Sequence, residues 1–231
     1  MKNRVVGYAL AILALTLAAQ SPAEAQDMQQ KVAAAKQAAA QNQKALRSYS
    51  WIEKTELSLK GEVKNTKIES CRYGPDGSVQ KTPIQEPPPQ QQQRGLKGRV
   101  IEKKTGEMKE DMEASVALVH QYVPPAAEKI QAAMAASKIT IVPGAATTTL
   151  RIADYLKGGD SLVLTLGSAD KGLKKVGVDT WKDSPSDKVT LDVQMQSLPD
   201  GTDYPSQVVL SIPSSQIQVR ITNSNYQKLV Q

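Results

Sequence analysis

Residues 188–196 read Lys-Val-Thr-Leu-Asp-Val-Gln-Met-Gln and carry the pattern that decides the fold. The apolar residues at odd positions from 189 to 195 alternate with polar ones, so one face of the strand is expected to be buried and the other exposed to solvent. The same period of two recurs at residues 161–167 and 216–222. Because the connections are too short for crossover helices, which need about a dozen residues, the sequence from residue 138 onward predicts an antiparallel meander.

Further strands are predicted in the first half of the chain, at residues 50–60, 63–73 and 78–84. Gly61 lies where a tight hairpin between the first two needs a glycine. Residues 86–94 contain three prolines and four glutamines, which neither pair in a sheet nor form a core. They predict a loop within one domain rather than a domain boundary.

Two helical regions are predicted to cover the apolar face of this sheet. Residues 27–47 have a narrow apolar stripe at helical spacing, and residues 108–122 place Met112, Val116 and Val119 on another. A second mid-chain helix is expected to begin at Pro125, since proline is tolerated in the first turn. The predicted class is α+β: a curved antiparallel sheet, or incomplete β-barrel, covered by an N-terminal helix and a mid-chain helical insertion.

The first 25 residues have the pattern of a secretory signal peptide. Lys2 and Arg4 precede an uncharged stretch, and Ala23-Glu24-Ala25 forms a cleavage site of the A-x-A type. Removal near Ala25 leaves residues 26–231 as a single half-barrel domain that is soluble and either periplasmic or secreted. A retained N-terminal anchor is the alternative.

Composition excludes several classes of site. With one His, one Cys and no Phe in 231 residues, the chain has no Cys/His set for structural zinc or an iron–sulfur cluster, and no internal disulfide. We expect no metal and no cofactor, although paired aspartates in two turns leave a calcium site as an alternative. His120 and Cys71 lie in no catalytic motif, so we expect no enzyme activity.

The net charge is +6, but basic and acidic residues are interleaved. Such mixing is typical of a solvated surface, so we expect no nucleic-acid partner. Peripheral contact with anionic lipid headgroups is a more credible use of the surplus charge.

The order of these elements resembles the periplasmic outer-membrane lipoprotein carrier and localisation-factor family. The local match is Leu198-Pro199-Asp200-Gly201-Thr202-Asp203-Tyr204-Pro205 and the segment that follows to Tyr226, with a weaker one at residues 51–64. The resemblance is one of layout, and no functional position carries over residue by residue. It implies an incomplete barrel with helices as its lid and a cavity for acyl chains.

Alanine side chains are too small to fill the space that leucine or phenylalanine would occupy. An apolar sheet face covered by alanine-rich helices therefore favours unfilled interior volume, which suits an apolar ligand. The sequence therefore predicts an exported carrier or binding protein for lipid or lipoprotein acyl chains. The alternative is that the helices fill the core, leaving a non-catalytic envelope scaffold that docks a protein partner. The candidate lining residues are Trp51, Leu57, Met112, Val116, Val119, Leu164, Val176, Trp181, Leu191, Val193 and Val219.

Overall fold

A computed structural model describes residues 37–84, 96–169 and 172–229; for residues 96–105 it describes only the helical backbone. The predicted signal peptide, the first part of the N-terminal helix and the Pro/Gln loop at 86–94 lie outside these ranges. The predictions made for them stay predictions.

Three helices and ten strands make up the described residues, with a short 3-10 turn at Pro213–Ser215. The helices are α1 (helical at 37–46), α2 (Leu96–Val119) and α3 (Ala127–Ala135). The strands are β1 (Tyr49–Leu59), β2 (Glu62–Tyr73), β3 (Val79–Pro83), β4 (Ile139–Pro143), β5 (Thr147–Ala153), β6 (Ser161–Gly167), β7 (Leu173–Trp181), β8 (Lys188–Ser197), β9 (Asp203–Ile212) and β10 (Ile217–Lys228).

The ten strands form one sheet in the order β3-β2-β1-β10-β9-β8-β7-β6-β5-β4. Every neighbouring pair is antiparallel, and the sheet does not close, so β3 and β4 are its edges. The predicted α+β class with an open antiparallel sheet is confirmed. The first and last strands along the described chain, β1 and β10, are neighbours in the interior of the sheet.

The β1–β2 hairpin shows how local sequence sets this arrangement. Lys60 and Gly61 both have positive φ, 55° and 80°, as a two-residue type I′ turn requires. Such a turn has the same twist as the strands it joins, and glycine adopts a positive φ without steric cost. The hairpin predicted from Gly61 is confirmed.

Cross-strand register places the apolar residues of eight strands in one row, because directly opposed residues share a face of the sheet. The row consists of Leu57, Val219, Leu210, Leu191, Val178, Leu162, Ile152 and Ile139. A neighbouring row consists of Thr55, Ile221, Val208, Val193, Val176, Leu164, Leu150 and Ile141. Nearly half of the buried residues in the hydrophobic core cluster belong to these two rows.

The mid-chain helices differ in detail from the prediction. α2 begins at Leu96 rather than near residue 108, and α3 begins at Ala127 rather than at Pro125. The inward face of α2 runs through Ser115 and Val119, whereas Val116 is 38% exposed. Placing Val116 on the inward stripe was therefore wrong: Ser115, one residue earlier, takes the buried position and donates its hydroxyl to the Asp111 carbonyl at 2.8 Å, while Val119 remains on the inward face.

A buried carboxylate fixes the end of α2 against the strands. Asp160 is 3% exposed and accepts hydrogen bonds from the Tyr155 N–H at 2.6 Å and the Lys157 N–H at 2.9 Å. The Tyr122 hydroxyl donates to the same carboxylate at 2.5 Å and lies 2.7 Å from the Thr180 hydroxyl. Because the charged group has these donors, its burial is tolerated, and it ties three separate segments together.

Candidate functional site: an apolar floor next to an aromatic cluster

Burial divides the inner face of the sheet into two halves. On β5–β8 the inward residues of the two rows are 0% to 7% exposed, under side chains of α2 and α3 such as Val119 and Ile130. On β1, β10 and β9 five of the six corresponding residues are only half-buried, the exception being Leu210, which is 5% exposed. We call this second group the open floor; its members are Thr55, Leu57, Val208, Val219 and Ile221.

The open floor is continuous with the closed core. Val208 and Val219 pack against the core cluster, and Leu57 lies directly opposite Val219. Leu57 in turn lies opposite Asn65 on β2, where the row becomes polar. The floor is therefore an apolar strip about three strands wide, with the core on one side and a polar margin on the other.

An aromatic cluster borders the open floor along β1 and β10. The ring of Trp51 stacks on Tyr226 with centroids 5.6 Å apart and an interplanar angle of 10°, and lies 5.3 Å from Tyr73. The ring centroid of Tyr204 lies 4.3 Å from that of Tyr226. Burial raises the pKa of Tyr226 and of Tyr73, so these phenols stay neutral at ordinary pH.

A buried ion pair lies beside the aromatic cluster. Glu53 is 6% exposed and pairs with the Lys81 ammonium. Cys71 lies opposite both Trp51 and Lys81 and is fully buried. Burial and the nearby Glu53 carboxylate raise the pKa of the Cys71 thiol to about 12, so the group is not a thiolate nucleophile at neutral pH. His120, the other candidate of a thiol–base pair, is exposed just after α2.

Two buried polar atoms near the open floor have no hydrogen-bond partner among the described residues. They are the indole Nε1 of Trp51 and the amide Oδ1 of Asn223. Asn223 lies opposite Glu53, two residues from Trp51 along β1. An unsatisfied buried polar atom costs about 1–3 kcal/mol, so one donor and one acceptor here favour an ordered water or a polar group of a ligand.

The loop between β8 and β9 contacts the N-terminal helix at the same end of the sheet. Asn42 of α1 donates to the Asp203 carbonyl at 2.8 Å and accepts from the Asp203 N–H at 2.7 Å. Asp200 accepts a hydrogen bond from the Tyr49 hydroxyl at 2.6 Å. That bond, together with those from Thr202, lowers the pKa of Asp200 to about 2. Residues 200–203 thus hold α1 and the start of β1 at this end of the sheet.

The structure separates the predicted lining residues into three groups. Val119, Leu164, Val176, Leu191 and Val193 lie in the closed core. Trp51, Leu57 and Val219 lie in the open half, at the aromatic cluster or on the floor. Met112 and Trp181 are half-buried, Val116 is exposed, and the Lys157 ammonium lies 3.7 Å from the centre of the Trp181 ring.

Sequence reasoning missed Val208, Ile221, Asn223 and Tyr226 as neighbours of Trp51 and Leu57. The period of two at residues 216–222 placed Ile221 on an apolar face, but only the strand register shows what that face meets. A register shift opposite Ser50 and Ile52, with Asn225 at a φ of 54°, brings Tyr226 to Trp51.

A separate pocket of about 500 Å³ lies between α2 and the end of β7 and is open to solvent. Its lining consists of Glu107, Glu110, Asp111, Ala114, Leu118, Lys182 and Asp183. Lys182 is ion-paired with Asp111 and, at 3.5 Å, with Asp187. The predominance of charged groups makes this pocket unsuited to an acyl chain.

No group of three or more His, Cys, Asp or Glu side chains is placed to hold a metal ion within residues 37–84, 106–169 and 172–229. In the same part of the chain, no helix combines the length and the apolar character needed to cross a membrane. Comparisons with protein-family models, curated proteins and solved structures found no match.

Proposed function

We propose that the protein is an exported, non-catalytic carrier or binding protein that holds an acyl chain or another apolar ligand on the open floor. The observation that carries the proposal is the change of burial along one register row: Leu162 is fully buried, whereas Leu57 and Val219 are only half-buried. The same apolar chemistry therefore continues beyond the part of the sheet that the helices fill.

An acyl chain that lies on the open floor removes its methylene groups from water and packs them against apolar side chains. Each buried methylene is worth about 0.8 kcal/mol, so a chain lying along Leu57, Val219 and Ile221 gains several kcal/mol before the cost of ordering it. The indole N–H of Trp51 and the side-chain amide oxygen of Asn223, which have no hydrogen-bond partner among the described residues, suit an ester or amide group at the end of such a chain. The neutral tyrosines beside them add apolar area without charge.

The rest of the proposal follows the sequence pattern and the family resemblance. The sheet is the floor of a half-barrel, with α1 and the mid-chain helices as its cover. After cleavage near Ala25 the protein acts in the periplasm or outside the cell, with lipid or lipoprotein acyl chains as ligands. It makes at most peripheral contact with membranes, and it uses no cofactor and no nucleic acid.

Two measurements test the proposal. Gently purified protein is extracted with organic solvent and analysed for lipid by mass spectrometry, and uptake of a fluorescent fatty acid is titrated. We expect recovered lipid and saturable uptake. Neither recovered lipid nor uptake of the probe would overturn the proposal.

A matched pair of variants locates the ligand. Leu57→Glu places a charge on the open floor, and we expect affinity for the fluorescent fatty acid to fall at least tenfold. Ser58→Glu places the same charge on the next residue of β1, which points to the other face of the sheet. Equal effects of the two substitutions would show that the open floor is not the binding surface.

The closed half of the sheet favours a second candidate, an envelope scaffold with a filled core. Its test is deletion of residues 86–94, the Pro/Gln segment. Loss of a co-purifying envelope protein after this deletion would support the scaffold, whereas unchanged recovery would count against it.

A further inference from the structure

The two edges of the sheet differ in how well they are guarded against pairing with another strand. On one side, β3 carries Lys81, and the part of β2 that extends beyond β3 carries Glu62, Lys64 and Lys67. Charged side chains are a common means of blocking edge pairing. On the other side, β4 reads Ile-Thr-Ile-Val-Pro and contains no charge.

The side chains of β4 are also accessible. Ile141 is 39% exposed and Val142 is 55% exposed, although they point to opposite faces of the sheet. Ile141 is the last residue of the row that runs through Leu150 and Leu164 in the core. The core row therefore ends at an open, apolar edge.

The direction of the backbone groups of β4 follows from its ladder with β5. The Gly144 N–H donates to Thr147, and the Lys138 carbonyl accepts from Ala153, so the even-numbered residues direct their backbone groups toward β5. The odd-numbered residues Ile139, Ile141 and Pro143 then direct theirs outward. Pro143 lacks an N–H, and its carbonyl remains available as an acceptor.

We propose that two copies of this chain pair through β4 in an antiparallel, two-fold symmetric dimer centred on Ile141. In this register each Ile141 N–H donates to the Ile141 carbonyl of the other copy, and each Ile139 N–H donates to the Pro143 carbonyl. Four backbone hydrogen bonds form in all. Because Pro143 has no N–H, only the two bonds that would run from residue 143 to the Ile139 carbonyl of the other copy are missing. The two core rows meet at Ile141.

A second copy is the occupant because the edge is complementary to itself in this register. Ile141 meets Ile141, Ile139 meets Pro143 and Thr140 meets Val142, so no charge is buried or opposed. The nearest charge before the strand, Lys138, is ion-paired with Asp154 at 3.3 Å. A two-fold contact also closes on itself, so it produces a dimer rather than a fibre.

The dimer is expected to be weak. A five-residue edge strand presents less surface than the roughly 800 Å² per partner of a standard stable interface. We therefore expect a reversible monomer–dimer equilibrium with a dissociation constant in the range of about 1–100 μM. Sedimentation velocity of the mature chain from about 1 to 500 μM measures it, and a wild-type protein that stays monomeric throughout would overturn the proposal.

Charge substitutions at Ile141 test the register. Ile141→Lys places two ammonium groups directly opposite each other, and Ile141→Glu does the same with carboxylates, so each variant alone should be at least tenfold weaker in self-association. A mixture of the two should recover a dimer that contains one copy of each. Circular dichroism checks that both variants are folded.

Val63→Lys is the control, because Val63 is 56% exposed on the guarded side of the sheet. We expect it to leave association unchanged. Dimers that persist in Ile141→Lys, that are lost in Val63→Lys, or that fail to form in the Lys–Glu mixture would place the interface elsewhere and overturn the proposal.

Discussion

The sheet contains two halves that share one strand pattern and differ in what lies on it. On β5–β8, Tyr122, Ile130 and Ala133 from the helical region complete a core whose inward residues are nearly inaccessible. On β1, β10 and β9 the residues of the same rows are only half-buried, apart from the buried Leu210. Alternation along a strand thus specifies an apolar floor, but the elements above it decide whether that floor becomes a core or a binding surface.

The largest expected effect compares the same substitution in the two halves. Leu162→Ala removes a fully buried side chain, and we expect a loss of about 3 kcal/mol in the free energy of unfolding. Leu57→Ala removes a half-buried leucine of the same register row, and we expect about 1 kcal/mol. Urea unfolding measures both values, and equal losses would show that the two halves are packed alike.

A second comparison uses the buried carboxylate of the closed half. Asp160→Ala removes the carboxylate that accepts from the Tyr122 hydroxyl and from the backbone N–H groups of residues 155–157, so we expect a loss of about 2–3 kcal/mol. Asp154→Ala is the control: that exposed aspartate of the same loop bonds the Gly159 N–H and Lys138, and we expect less than about 1 kcal/mol. A loss from Asp160→Ala no greater than the control's would contradict the anchoring role.

The smallest expected effect concerns Asp200 at the α1 end of the open half. Its pKa of about 2 lies below the usual 3.8, so this group stabilises the folded state above about pH 4 and ceases to do so as pH falls toward 2. Tyr49→Phe removes the main cause, the hydroxyl hydrogen bond. We expect the Asp200 carboxyl, followed by NMR, to titrate at a higher pH in Tyr49→Phe, and an unchanged pKa would refute the assignment.

The sequence predicted the class, the antiparallel order and the hairpin at Gly61, because these depend on local alternation and turn chemistry. It did not predict the burial of Ser115 or Asp160, since both residue types usually mark caps and turns and become buried only where specific partners exist. It also did not predict that Leu57 is only half-buried whereas Leu164 is fully buried. Both are apolar strand residues, and their difference arises from register and from the helices that lie above them.

The most direct test of the open floor is an NMR measurement of contacts between bound ligand and methyl groups. Protein labelled at its Leu, Val and Ile methyls is mixed with unlabelled palmitate, and intermolecular nuclear Overhauser effects are recorded. We expect contacts to Leu57, Val219 and Ile221 and none to Leu162 or Leu164. Contacts confined to the closed half, or no bound palmitate at all, would contradict a binding surface on β1, β10 and β9.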